Sequence, residues 1–155
     1  MKKRRLRLSL VATPIMIVCS LLGSGSKAMA EPDGGHCSNR TLFGNYGGAV
    51  EGVLIIPGAP ELQFRAVTMN HFDGRGHVTS VEHVVVNGVP ANPGTEWTPG
   101  SGTYTVNEDC TGTMLTTTPN SQEPLNLAIV VVRHGREIHA VLDAHALSSV
   151  FIKVD

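Results

Sequence analysis

Residues 102–113 read GTYTVNEDCTGT, a run in which a strand, a turn, a cysteine and a second strand follow one another within a dozen positions. Thr103, Tyr104, Thr105 and Val106 are β-branched or aromatic and suit a pleated, half-buried surface. Asn107, Glu108, Asp109 and Cys110 then bring turn chemistry, since Asn and Asp side chains bond to nearby backbone and tolerate unusual dihedrals. With Glu108 and Asp109 as the turn centre, Tyr104 lies opposite Thr113 and Val106 opposite Thr111, and Leu115 continues on the same face. This predicts a hairpin whose inward set is Tyr104, Val106 and Leu115, with further strands arranged around it.

The flanking sequence supplies those strands. Residues 42–56 carry Phe43, Tyr46, Val50, Val53, Leu54 and Ile56 with interspersed glycines, the pattern of a strand bent at a closing barrel. Residues 62–72 (LQFRAVTMNHF) and 77–86 flank Asp73-Gly74-Arg75-Gly76, a hairpin turn. Pairing about Gly74-Arg75 puts Phe72 opposite His77 and Ala66 opposite His83. Arg65 and Glu82 then fall diagonally on one face. Neither face of this hairpin is purely apolar, as expected of a barrel with a partly polar lumen or of a decorated outer surface.

Asn87-Gly88 reads as a turn or a bulged strand end. Residues 90–100 (PANPGTEWTPG), with three prolines, read as a connection over the surface or across a barrel mouth, with Trp97 covering apolar surface. Residues 125–133 and 136–143 flank His134-Gly135 as the clearest hairpin, in which Leu127, Ile129, Val131, Ile138, Ala140 and Leu142 share the core face. A last strand follows after residue 146. About eight strands at regular spacing, with no helical period, predict an all-β domain: a single antiparallel up-and-down β-barrel.

The chain's beginning reads differently. Lys2, Lys3, Arg4, Arg5 and Arg7 precede an apolar run from Leu8 to Leu22 and the small-x-small site Ala28-Met29-Ala30. This is the pattern of an export signal over residues 1–30, with residues 31–155 as one mature domain in the periplasm or outside the cell. Of the twelve Lys and Arg residues, six lie at or before Lys27, so the mature part sets six basic residues against all thirteen acidic ones, a net charge of −7 with His neutral. Such a balance argues against nucleic acid and anionic membranes as partners. The run is too short and too interrupted, by Pro14, for a comfortable membrane span.

Two cysteines, Cys37 and Cys110, remain after the signal. In an oxidising compartment an even count implies a disulfide, and two allow one connectivity. It ties the mature N-terminus to the turn of the central hairpin.

Taken together, these motifs resemble a group of small exported bacterial proteins. The resemblance rests on Cys37 ahead of Leu42, Gly44 and Tyr46; on Phe72-Asp73-Gly74-Arg75-Gly76; on Asn87-Gly88; and on the GTYxVNxDCTGT motif of residues 102–113. It implies a calycin-type, lipocalin-like or allene-oxide-cyclase-type barrel with one disulfide, and it brings no catalytic residues with it.

Candidate chemistry is sparse. All seven histidines follow the signal, but His77 and His83 lie six residues, roughly 20 Å, apart along a strand, and no HxH or HExxH motif occurs. No GxSxG nucleophile turn is present. The sequence therefore gives no metal site, no cofactor and no catalytic residue. Arg65 and Glu82, if their face lines a lumen, are the candidates to orient a polar ligand group, with Tyr46, Tyr104 and His139 as further ligand-binding candidates. The expectation is a barrel that binds a small apolar molecule or a protein partner. The alternatives are a cyclase or isomerase acting on an apolar substrate, with Arg65, Glu82 or a tyrosine as acid–base help, and a structural surface protein with a solid core. Oligomeric state is not legible.

Overall fold

A computed structural model describes residues 36–119, 121 and 123–154; the export signal read over residues 1–30 lies outside the described residues. Eight strands form a closed antiparallel barrel: β1 (Phe43–Leu54), β2 (Leu62–Asp73), β3 (His77–Val86), β5 (Thr98–Val106), β6 (Thr111–Thr117), β7 (Leu125–Val132), β8 (Glu137–Leu142) and β9 (Ala146–Lys153). A two-residue strand β4 (Val89–Pro90) lies outside the ring and turns back onto the end of β3 through Asn87-Gly88, both at positive φ (48° and 81°). Each barrel strand pairs with its neighbours in sequence, and β1 pairing with β9 closes the ring. The up-and-down barrel of about eight strands with one disulfide is therefore the architecture of this chain.

The β7–β8 register is the one read from the sequence, Leu127 with Leu142, Ile129 with Ala140 and Val131 with Ile138. The inward side is wholly apolar, whereas the other side mixes Ala128, Val130, Val132 and Val141 with Asn126, Glu137 and His139 and faces outward. Two other hairpins pair one residue away from expectation. Asn107 N–H bonds to Thr111 O (2.8 Å), so Glu108, Asp109 and Cys110 form a three-residue loop in which Cys110 takes the left-handed conformation (φ 67°). Tyr104 therefore pairs with Met114 and not Thr113, and Val106 with Gly112 and not Thr111. Met114 is buried, whereas Leu115, expected inside, is 44% exposed.

The β2–β3 turn likewise spans three residues, Gly74 to Gly76, so Phe72 pairs with Val78 and Ala66 with Val84. A one-residue slip exchanges the faces of a strand. The inward residues of β3 are thus Val78, Ser80, Glu82 and Val84, in phase with Phe64, Ala66, Thr68, Asn70 and Phe72 of β2. Strand β5 begins at Thr98, earlier than the proline-bearing segment suggested. Trp97 stays 47% exposed, edge-on to the His83 ring.

One end of the barrel is filled. Phe72 stands between Tyr46 and Tyr104 in two edge-to-face contacts, with centroids 5.1 and 5.0 Å apart. Leu42, Val78, Val106, Val131, Ile138 and Phe151 pack around them. Burying a side chain such as Phe72 contributes about 1.5–3 kcal/mol. Gly48 of β1 makes room for this layer, because a Cβ there would strike the Phe151 ring.

The arm before β1 covers the same end. Cys37 is joined to Cys110, with Cα atoms 5.0 Å apart, and Cys37 N–H donates to Glu108 O (3.1 Å). Asn39 Oδ1 accepts from Val106 N–H (2.8 Å), and the Tyr104 hydroxyl lies 3.0 Å from both Asn39 O and Leu42 O. Tyr46 donates its hydroxyl to Gly135 O in a turn where Arg133, His134 and Gly135 all take positive φ. The polar tips of both buried tyrosines are thus satisfied by backbone.

Candidate functional site

The opposite end is open. There the end of β1, the start of β2, the end of β3, the start of β7 and the turn after β8 surround a cavity of about 610 Å³. Its wall is mostly apolar: Leu54, Ile56, Phe64, Val84, Leu125 and Leu142. The acidic groups Glu82, Glu123 and Asp143 line it together with His145. Ile55 and Ile56 stand exposed at the lip. Rim segments are tied in place: Ile55 N–H donates to His145 Nδ1 (3.2 Å), Asn126 Nδ2–H to Asp143 Oδ2 (2.6 Å), and Ser121 Oγ–H to Thr118 O (3.1 Å).

Phe64, Glu82, Thr118, Leu125 and Leu142 line both the mouth and a second, smaller chamber of about 80 Å³ further in. Thr68 and Asn70 of β2, Ser80 of β3 and Ser149 of β9 face this chamber, with Met114 and Phe151 completing its apolar wall. The chamber stops short of the aromatic layer, since Phe72 is the next inward position after Asn70 along β2. The result is a funnel: greasy at the mouth, acidic at its waist, and polar but uncharged at its base.

Glu82 has its carboxyl pKa raised by burial, an effect partly offset by a hydrogen bond from the Thr118 side chain. At the base, Asn70 is 4% exposed and its Nδ2 has no hydrogen-bond partner. Its Oδ1 accepts from the Thr68 hydroxyl at 3.4 Å.

Of the five ligand-binding candidates read from the sequence, Glu82 alone lines the funnel. Arg65 does not share its face. The β2–β3 slip leaves Arg65 outside, where its Nε is 3.8 Å from Glu51 Oε2 between two exposed side chains. Tyr46 and Tyr104 belong to the filled end, where burial raises both phenol pKa values and backbone hydrogen bonds partly offset it. His139 is on the outer surface, its Nε2 2.7 Å from Glu137 Oε1, above a shallow groove with Val130, Val141 and Val150. The five candidates are therefore distributed over three places. Among the described residues no group of three or more His, Cys, Asp or Glu side chains is placed to hold a metal ion, and no helix is long and apolar enough to cross a membrane.

The residues that sequence reading passed over are Asn70, Ser80, Ser149 and Thr118. Thr68 and Asn70 carried a signal, since they are polar yet in phase with Phe64, Ala66 and Phe72 on the inward side of β2. The closed eight-stranded barrel is consistent with a calycin-like fold. Comparison of the chain with models of known protein families and with the sequences of characterised proteins finds no match.

Proposed function

We propose that this is an exported barrel protein of the group that shares the GTYxVNxDCTGT motif, and that it binds a small, mainly apolar molecule inside its open end. The observation that carries this reading is the funnel, whose mouth of about 610 Å³ falls in the range of small-molecule sites and whose wall is mostly aliphatic and aromatic. Barrels of eight strands are just wide enough either to fill with side chains or to hold one small ligand. This chain fills one end and leaves the other hollow. A solid structural barrel has no use for such a hollow. The basic start, the apolar run and Ala28-Met29-Ala30 support export, and the Cys37–Cys110 bridge suits the periplasm or the exterior.

A cyclase or isomerase is the second reading, favoured by one observation: a carboxyl with a raised pKa in an apolar cavity has the character of an acid–base group. It rests on Glu82 alone, because Arg65 faces the other side of the sheet. The test is titration with 1-aminoanthracene, a neutral apolar fluorophore. Binding is expected to the wild-type barrel and to be lost in Leu142→Trp, which plugs the passage between mouth and chamber. Absence of saturable binding to the wild type rejects the reading. Proton NMR of the ligands recovered after incubation separates the two readings, since a cyclase or isomerase rearranges them at constant mass and a binder returns them unchanged.

A further inference from the structure

Asn70 sits where the sheet geometry forces a polar side chain into the interior. On β2 it is in phase with Phe64, Ala66 and Phe72, and its ladder partners are Tyr46 on β1 and Ser80 on β3. The side chain is 4% exposed, and its amide nitrogen has no partner while its oxygen is engaged by Thr68. Buried donors are almost always paired, so an unpaired one lining a cavity calls for an explanation. The chamber in front of it, about 80 Å³, has room for one functional group but not for a whole ligand.

We infer that this chamber receives the leading end of the ligand, and that this end is an uncharged hydrogen-bond acceptor, such as a ketone or ester carbonyl, which takes the amide proton of Asn70. The inference rests on the apolar-binding reading above and names the ligand class for it.

Charge selects against the alternatives. A carboxylate has to pass Glu82 at the waist and Glu123 and Asp143 at the mouth, where like charges oppose it and only His145 is of the opposite tendency. An ammonium has an attractive partner in Glu82, but it is itself a donor and leaves the Asn70 N–H unmet. A neutral carbonyl satisfies both constraints. Its oxygen accepts from Asn70 while its hydrocarbon remainder lies along Phe64, Leu125 and Leu142.

Competition against 1-aminoanthracene tests this with three probes of matched length: 2-nonanone, its isostere 2-methyl-1-nonene, and octanoate. In the wild type, octanoate is expected to be the weakest competitor. The ratio of ketone to alkene affinity is expected to fall about tenfold in Asn70→Leu, which removes the donor at nearly constant volume. An unchanged ratio in the folded variant overturns the inference, as does octanoate outcompeting the ketone. Carbon-13 carbonyl infrared spectroscopy of 2-nonanone bound to the wild type needs no variant. A stretch shifted below its frequency in alkane solvent supports the inference, and an alkane-like frequency overturns it. Failure of the fluorophore to bind at all is a different result, which removes the apolar-binding reading itself.

Discussion

The hydroxyl of Tyr104, on β5, lies 3.0 Å from the carbonyl oxygen of Leu42, 62 residues earlier in the chain, and both residues are buried. This contact fixes the N-terminal arm as the plug of one barrel end. Without its hydroxyl, the carbonyls of Asn39 and Leu42 lose their shared donor in a place water reaches poorly. Tyr104→Phe is expected to lower stability by about 1–3 kcal/mol. Urea unfolding checks it: the midpoint falls while the slope stays the same, because the surface exposed on unfolding is unchanged.

The same burial makes the barrel sensitive to alkali. Tyr46 and Tyr104 both have phenol pKa values raised above 10.0, first by desolvation. The folded protein holds these protons more tightly than the unfolded chain does. Their stabilising contribution is thus complete below pH 10 and is lost as the pH rises from there through the folded values. Midpoints of urea unfolding between about pH 8 and pH 12 are expected to fall steeply above pH 10, and less steeply in Tyr104→Phe.

The arm is held a second time by sulfur. The Cys37–Cys110 bridge spans 73 residues, for which loop-closure entropy in the unfolded chain gives about 4 kcal/mol. Replacing both cysteines by serine is expected to cost an amount of that order, read from urea midpoints. The loss falls on global stability, since Cys37 also packs into the core with Leu42.

Why some of this was readable and some not comes down to turns. Between β7 and β8 one face is wholly apolar while the other carries Asn126, Glu137 and His139 among its valines, so the first is the one buried and the register follows. The β2–β3 and β5–β6 turns contain residues suited to either two-residue or three-residue loops. Backbone geometry decides between these, and composition does not. Choosing the shorter loop turned β3 over, brought Glu82 beside Arg65 on paper and put Leu115 where Met114 belongs. The funnel itself is a property of eight strands converging, and so only its polar base left a trace, in Thr68 and Asn70.

Gly48 gives a prediction about packing. A Cβ at this position meets the Phe151 ring and, at 2.6 Å, the carbonyl oxygen of Val150, so β1 and β9 would have to part. Gly48→Ala is expected to destabilise by about 1–3 kcal/mol despite the better strand propensity of alanine. Thermal unfolding followed by circular dichroism measures it, and a variant as stable as the wild type contradicts the close approach.

Glu82 ties stability to selectivity. Burial raises its carboxyl pKa above 4.5, with the Thr118 hydrogen bond acting the other way, and the other titratable groups around the cavity are Glu123, Asp143 and His145. Because the folded state binds this proton more tightly, ionisation begins to cost stability as the pH rises past 4.5 and continues to do so through the raised folded value. Glu82→Gln removes that cost. Its urea midpoint is expected to rise relative to wild type between about pH 4 and pH 7, and a difference independent of pH rejects the assignment of a raised pKa. The same substitution removes the anionic waist of the funnel, so octanoate is expected to compete for the cavity several-fold better at pH 7, while 2-nonanone, held at Asn70 and carrying no charge, changes little. Because Gln has nearly the bulk of Glu, equal gains for both probes would mean that the substitution acts through the polarity of the passage and not through like-charge repulsion of the anion.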